Sequence, residues 1–225
     1  MKVVESSASR LRGVSCACDL SLYLVASRGQ RSDEEFLRIV ELALQGGVRV
    51  VQLREKQLDS MEYYALACKL KTLADRFHAA LIINDRVDIA LACGASGVHI
   101  GTNDLPLQKV REILGEQKLI GCSLRDPALL PSMAGADYLG VGAVFPTQTK
   151  QDSVLIGIDG VREILMQMRL QGMHLPVVAI GGITQDNLPA LTPLKKLGLA
   201  GVAVASAIME AENPYTTSQN LLTGF

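Results

Sequence analysis

The run Gln52-Leu53-Arg54-Glu55-Lys56 closes an apolar stretch of this chain. In extended backbone, alternation turns Gln52, Arg54 and Lys56 to one face. An arginine and a lysine on an otherwise apolar strand are costly to bury unless they meet anions. The alternative is a structural ion pair with an acidic neighbour. Asp85 follows Ile83-Asn84 and Asp104 follows His99-Ile100-Gly101-Thr102-Asn103, again where apolar runs end. Taken singly, each aspartate has an ordinary use as the N-cap of the helix after it. Taken together on neighbouring strands, they form the paired carboxylates that Mg²⁺ shares with phosphate oxygens. Beside Arg54 and Lys56, such a pair describes a site that neutralises a polyphosphate with metal and side chains together.

Further along, Pro146-Thr147-Gln148-Thr149-Lys150 offers hydroxyl and ammonium donors, and the stretch from there to Gly157 reads as a loop able to close over a ligand. Ile180-Gly181-Gly182-Ile183-Thr184 lets backbone N–H groups approach an oxyanion. Val204-Ala205-Ser206 leads into a helix N-terminus, and with the glycines it reads as one seat for a phosphate monoester. A tight turn would also want glycine, yet two in succession exceed that need. The residues thus describe two anion sites. His99 reads as a hydrogen-bonded core histidine with no chemistry. Tyr63 and Tyr64 read as packing or interface residues, and Met133, Met166, Met168 and Met173 as packing.

These residues need elements that bring them to one place. Short β-branched runs at 22–26, 48–53, 80–83, 97–100, 119–122, 138–141, 177–180 and 202–204 predict eight strands. Their hydrophobicity is mostly continuous rather than alternating, the pattern of strands buried on both faces. Amphipathic stretches at 33–44, 61–77, 87–92, 106–114, 127–134, 160–171 and 187–197 predict the intervening helices, with a last one after Ser206. Strict alternation implies parallel strands with right-handed crossovers. Eight such units in 225 residues, with no G-x-G-x-x-G turn after the first strand, favour an α/β (β/α)₈ TIM barrel over an open doubly wound sheet. Residues 21–225 would form this single catalytic domain, with 1–20 as an N-terminal extension. In a barrel the active site lies at the C-terminal ends of the strands, where the anion-site candidates above fall.

Composition narrows the classes. A net charge of −1 provides no basic field for nucleic acid. No apolar run approaches the roughly 20 residues a bilayer span needs, and the first 20 residues carry Glu5, Arg10, Arg12 and Asp19 in place of a signal-peptide core. The five cysteines are scattered, without zinc spacing or a disulfide framework, so a reducing cytoplasm is the expected setting. The partners expected are small molecules, and a homo-oligomer stays open.

Five motifs together carry a resemblance: Gln52-Leu53-Arg54-Glu55-Lys56, Ile83-Asn84-Asp85-Arg86, Gly97-Val98-His99-Ile100-Gly101 with Asp104-Leu105-Pro106, Pro146-Thr147-Gln148-Thr149-Lys150, and Ile180-Gly181-Gly182-Ile183. In this order, over about residues 20–210, the series resembles that of the thiamine phosphate synthase family. The resemblance implies a transferase of thiamine biosynthesis that couples hydroxymethylpyrimidine pyrophosphate to hydroxyethylthiazole phosphate. Pyrophosphate would leave first, and the thiazole nitrogen would capture the resulting pyrimidine carbocation. It implies Mg²⁺ on Asp85 and Asp104, and pyrophosphate held by Arg54, Lys56, Asn84, Ser123 and Lys150. Gln52 would contact the pyrimidine, while Thr147, Thr149, Gly181, Gly182, Val204, Ala205 and Ser206 would seat the thiazole phosphate. One position departs from the family pattern: Arg125 stands where a histidine is usual, two residues after Ser123. The related thiazole tautomerase would need that histidine as a proton shuttle. A non-catalytic thiazole-phosphate sensor would need only the phosphate seat, so the retained aspartates and cations favour the synthase.

Overall fold

The computed structural model describes residues 18–147 and 154–225. Eight parallel strands close into one barrel, each paired with the next in sequence and β8 returning to β1. They are β1 Leu22–Ala26, β2 Val50–Leu53, β3 Ala80–Asn84, β4 Gly97–Ile100, β5 Leu119–Leu124, β6 Tyr138–Gly142, β7 Val177–Ile180 and β8 Leu199–Val204. The eightfold alternation expected from the sequence is therefore the fold. Three edges moved with consequence: β3 and β5 run on through Asn84 and Ser123, placing both inside strands, and β8 begins at Leu199.

The strand pleat sorts side chains into two cores. Leu24, Val51, Leu53, Leu81 and Ile83 point outward and pack with Phe36, Val40, Leu66 and Leu70 of the surrounding helices. Tyr23, Val25, Val50, Ile82, Tyr138, Val178 and Ala203 point inward and form a smaller, separate cluster along the barrel axis. Because the period is two, Gln52 and Asn84 share the inward face with Val50 and Ile82.

The outer ring comprises α1 Asp33–Gln45, α2 Ser60–Arg76, α3 Val87–Ala92, α4 Leu107–Leu114, α5 Gly157–Leu170, α6 Ser206–Met209 and α7 Pro214–Gly224. Local chemistry sets the starts of two helices: Ser32 and Glu35 form a capping box on α1, and the Asp59 carboxylate accepts from Glu62 N–H on α2. Two expected helices are instead 3₁₀ segments, Pro127–Met133 and the pair Leu188–Ala190 and Thr192–Leu197. Pro131 and Pro193 lack the N–H that the interior of the expected α-helices would use and would clash with the preceding turn. Among the described residues, no helix is long and apolar enough to cross a membrane.

Candidate active site

The backbone turns Asp85 and Asp104 away from the job that most often explains such residues. Neither caps its helix: the N-cap positions of α3 and α4 are Arg86 and Pro106, and neither helix has a side-chain cap. Asp85 sits at φ +61°, a left-handed conformation that aspartate tolerates better than most residues. Asp104 reaches back so that Oδ2 accepts from Gly101 N–H at 2.7 Å. The two carboxylates meet each other, and Lys56 Nζ donates to Asp85 Oδ2.

The electrostatics of the pair are divided. At Asp85 burial acts upward, but hydrogen bonds from Lys56 and from the Asp104 carboxyl outweigh it, leaving the group below its ordinary range. Asp104 is raised, by burial first and then by its negative neighbour. Two carboxyls held together, with Lys56 on one of them, favour added positive charge. Mg²⁺ is commonly bound by one or two carboxylates plus substrate phosphates, so this donor set fits it. Among the described residues there is no cluster of three or more potential metal ligands, so waters and ligand oxygens would complete the shell.

Around this pair the expected residues fall as follows. Arg54 follows directly after β2, half-buried, its backbone N–H held by Ala26 O at 2.9 Å. Glu55 turns the other way: its Oε1 accepts from Arg28 N–H at 2.5 Å and from Ser27 Oγ at 3.4 Å, so it braces the loop after β1. Asn84 is buried at the end of β3. Tyr63 of α2 donates to Leu53 O at 2.8 Å and lies 3.4 Å from Asn84 O, tying together the strand ends that carry the cations and Asp85. Thr147 is half-buried beyond β6, whereas Thr149 and Lys150 lie outside the described residues.

Gly181 and Gly182, just past β7, have φ of +107° and +65°. A Cβ at Gly181 would come 2.7 Å from Ala143 Cα, and one at Gly182 2.4 Å from Pro146 O. Close packing against the chain beyond β6 thus requires glycine at both, and the pair carries no separate argument for phosphate. Val204 ends β8, and Ala205 leads into α6 at Ser206.

Sequence reasoning passed over a set of polar residues inside the barrel. Gln52 Nε2 donates to Tyr23 Oη at 2.7 Å, which lies 2.9 Å from Tyr138 Oη. Tyr138 Oη is 3.2 Å from His99 Nδ1, and His99 Nε2 is 3.0 Å from Ser123 Oγ. The signal was present: strand alternation places Tyr23, His99, Ser123 and Tyr138 inward on β1, β4, β5 and β6. His99, read as an ordinary core histidine, is hydrogen-bonded as expected, but to a residue of the mouth.

A closed barrel with carboxylates and cations gathered past the ends of its strands defines the class: a (β/α)₈-barrel enzyme with its site at the C-terminal mouth. Comparison with known proteins narrows the class. The family model described as thiamine monophosphate synthase matches residues 22–208. The chain is 46% identical over 209 residues to the thiamine-phosphate synthase of Methanobrevibacter smithii, covering 92% of this chain and 96% of that one. It is 47% identical over 209 residues to that of Desulfitobacterium hafniense strain Y51, covering 92% and 97%. A solved structure of thiamine phosphate pyrophosphorylase from Pyrococcus furiosus superposes with a TM-score of 0.79 at 35% identity, covering 92% of this chain and 96% of that one. The chain belongs to the thiamine monophosphate synthase family.

Proposed function

We propose that this chain joins hydroxymethylpyrimidine pyrophosphate to hydroxyethylthiazole phosphate, releasing pyrophosphate and thiamine phosphate. The observation that carries the reading is the Asp85–Asp104 pair with Lys56 on it, at a barrel mouth, with neither carboxylate used as a helix cap. In the reaction the bond from the pyrimidine methylene carbon to the pyrophosphate oxygen breaks, and both electrons leave with the oxygen. The thiazole nitrogen then supplies the electron pair for the new C–N bond.

Such a reaction needs no nucleophilic side chain. It needs positive charge where the leaving group gathers negative charge, held in place beforehand. Arg54 and Lys56 supply fixed cations, and Asn84 and Ser123 supply neutral donors; Lys150 belongs to the same set by its motif. Mg²⁺ on Asp85 and Asp104 would add neutralising charge at the pyrophosphate oxygens. Thr147, Thr149, Gly181, Gly182, Val204, Ala205 and Ser206 would seat the thiazole phosphate, and Gln52 would face the pyrimidine. A reducing cytoplasm suits an enzyme of this kind whose five cysteines are scattered without a disulfide framework.

The test is product identity. Incubation with both substrates and Mg²⁺ should give thiamine phosphate by mass, and omitting either substrate should give none. Binding of the thiazole phosphate without coupled product would instead make the chain a tautomerase-like or sensing member of the family.

A further inference from the structure

Arg54 leaves the sheet at a place held from both sides. Past Leu53 the ladder runs on by one bond, from Arg54 N–H to Ala26 O at 2.9 Å. On one flank Tyr63 Oη donates to Leu53 O at 2.8 Å, and the backbone of Glu55 also hydrogen-bonds this hydroxyl. Both peptide groups of Arg54 thus meet one phenol. On the other flank Glu55 Oε1 accepts from Arg28 N–H at 2.5 Å and from Ser27 Oγ at 3.4 Å, joining the segment to the loop after β1.

Helix α2 delivers the phenol to this place. Its buried stripe, Tyr63, Leu66, Ala67, Leu70, Leu73 and Ala74, has helical spacing. In a β/α unit the helix starts at the mouth and runs back toward the floor, so the first residue of the stripe lies level with the strand ends. Tyr63 is the fourth residue of α2 and 1% exposed, whereas Phe36 is the fourth residue of α1 and fully buried without a hydroxyl. Packing at this level asks for a ring and not for its oxygen. Burial, reinforced by the Glu55 and Asp85 charges, raises the phenol above its ordinary range, so it keeps the proton it gives to Leu53 O.

We propose that Tyr63 and Glu55 are positioning residues that act through Arg54: they fix the backbone on either side of it, so that its guanidinium is in place before an anion arrives. A cation contributes most to a developing negative charge when its position is set beforehand. The anion that Arg54 meets is pyrophosphate on the synthase reading, on which this proposal rests.

The test is a pair of double-mutant cycles, read by calorimetry with inorganic pyrophosphate and Mg²⁺ and, with both substrates, as kcat/KM. Tyr63→Phe and Glu55→Ala should each weaken pyrophosphate binding and lower kcat/KM about tenfold, the scale of one lost hydrogen bond. In an Arg54→Ala background the same changes should cost under about twofold, because both act through Arg54. Undiminished losses in that background would overturn the proposal, as would wild-type affinity and turnover in Tyr63→Phe. Glu55→Gln keeps an acceptor oxygen without the charge and should restore most of what Glu55→Ala loses. A glutamine variant as weak as the alanine one would make Glu55 a countercharge and overturn its positioning role. Should Tyr63→Phe fail to fold, the Glu55 cycle decides alone. Pyrophosphate binding without coupled product in the wild-type chain would sink the synthase reading and leave the cycles readable. A wild-type chain with neither would sink both.

Discussion

Where the strands begin, charges are spent on the backbone; where they end, charges face each other. At the starting end Arg111 donates to the carbonyls of Gly115, Lys118 and Gly135 and to Asp137 Oδ2 at 2.7 Å. Asp137 Oδ2 accepts in turn from Ile120 N–H, Arg49 donates to Leu44 O and Val48 O, and Lys118 donates to Ala95 O. At the finishing end Asp85, Asp104 and Lys56 form a short-range cluster of charged side chains. The same residue types are present at both ends. One set closes loops and joins strands, and the other brings two carboxylates and a lysine together.

Breaking the mouth should cost activity without stability. Asp104→Ala should lower turnover on the order of 10³-fold, the scale for losing one preorganised electrostatic group, while thermal unfolding stays where it was. A drop in melting temperature matching the loss of turnover would make Asp104 a structural residue. The converse variant is Arg111→Ala. It removes four hydrogen bonds from a side chain that is 18% exposed. It should cost about 1–3 kcal/mol of stability, lowering the melting temperature by roughly 2–10 °C, with kcat unchanged at temperatures where the variant is folded.

Gly121→Ala lies between the two regions. Its Cβ would enter the Tyr138 ring, 2.1 Å from Cζ, so overpacking of about 1–3 kcal/mol is expected together with reduced turnover. An unfolding curve like that of the wild type would show that the inner cluster has more slack than its contacts indicate. The smallest effect belongs to Asp33, a charge near the mouth that serves structure. Lys69 and Arg28 hold its carboxyl below the usual range. The folded value is depressed, so its contribution is present above the unfolded value of about 3.9 and is lost as pH falls through the lower folded value. Asp33→Asn should therefore destabilise by under about 1 kcal/mol at pH 7, and the difference from wild type should vanish in acid; a difference that persists there would assign it to packing.

The contrast between the ends was legible in the sequence to the extent that strands were. Continuous apolar runs such as Leu22–Ala26 and Val177–Ile180 match the observed strands, and they fix which polar residues lie after a strand and which before. Asp85 and Asp104 could be singled out on that basis alone. Their release from capping could not, because the sequence does not reveal that the backbone at Asp85 turns left-handed or that Asp104 folds back onto Gly101. The 3₁₀ segments were missed because their apolar spacing is helical while Pro131 and Pro193 remove hydrogen bonds an α-helix needs. The Gln52–Tyr23–Tyr138–His99–Ser123 chain was missed for another reason. Its members come from five strands, and only closure of the barrel brings them across the axis to one another.

The central claim is that the aspartate pair at the mouth exists to bind a cation with a pyrophosphate ester. The direct measurement is pyrophosphate release from wild-type protein with both substrates, with Mg²⁺ and after its removal by chelation. Release that requires Mg²⁺, and that is lost in Asp104→Ala with Mg²⁺ present, is the predicted result. Release that proceeds unchanged in chelator, or in the variant, would contradict the account.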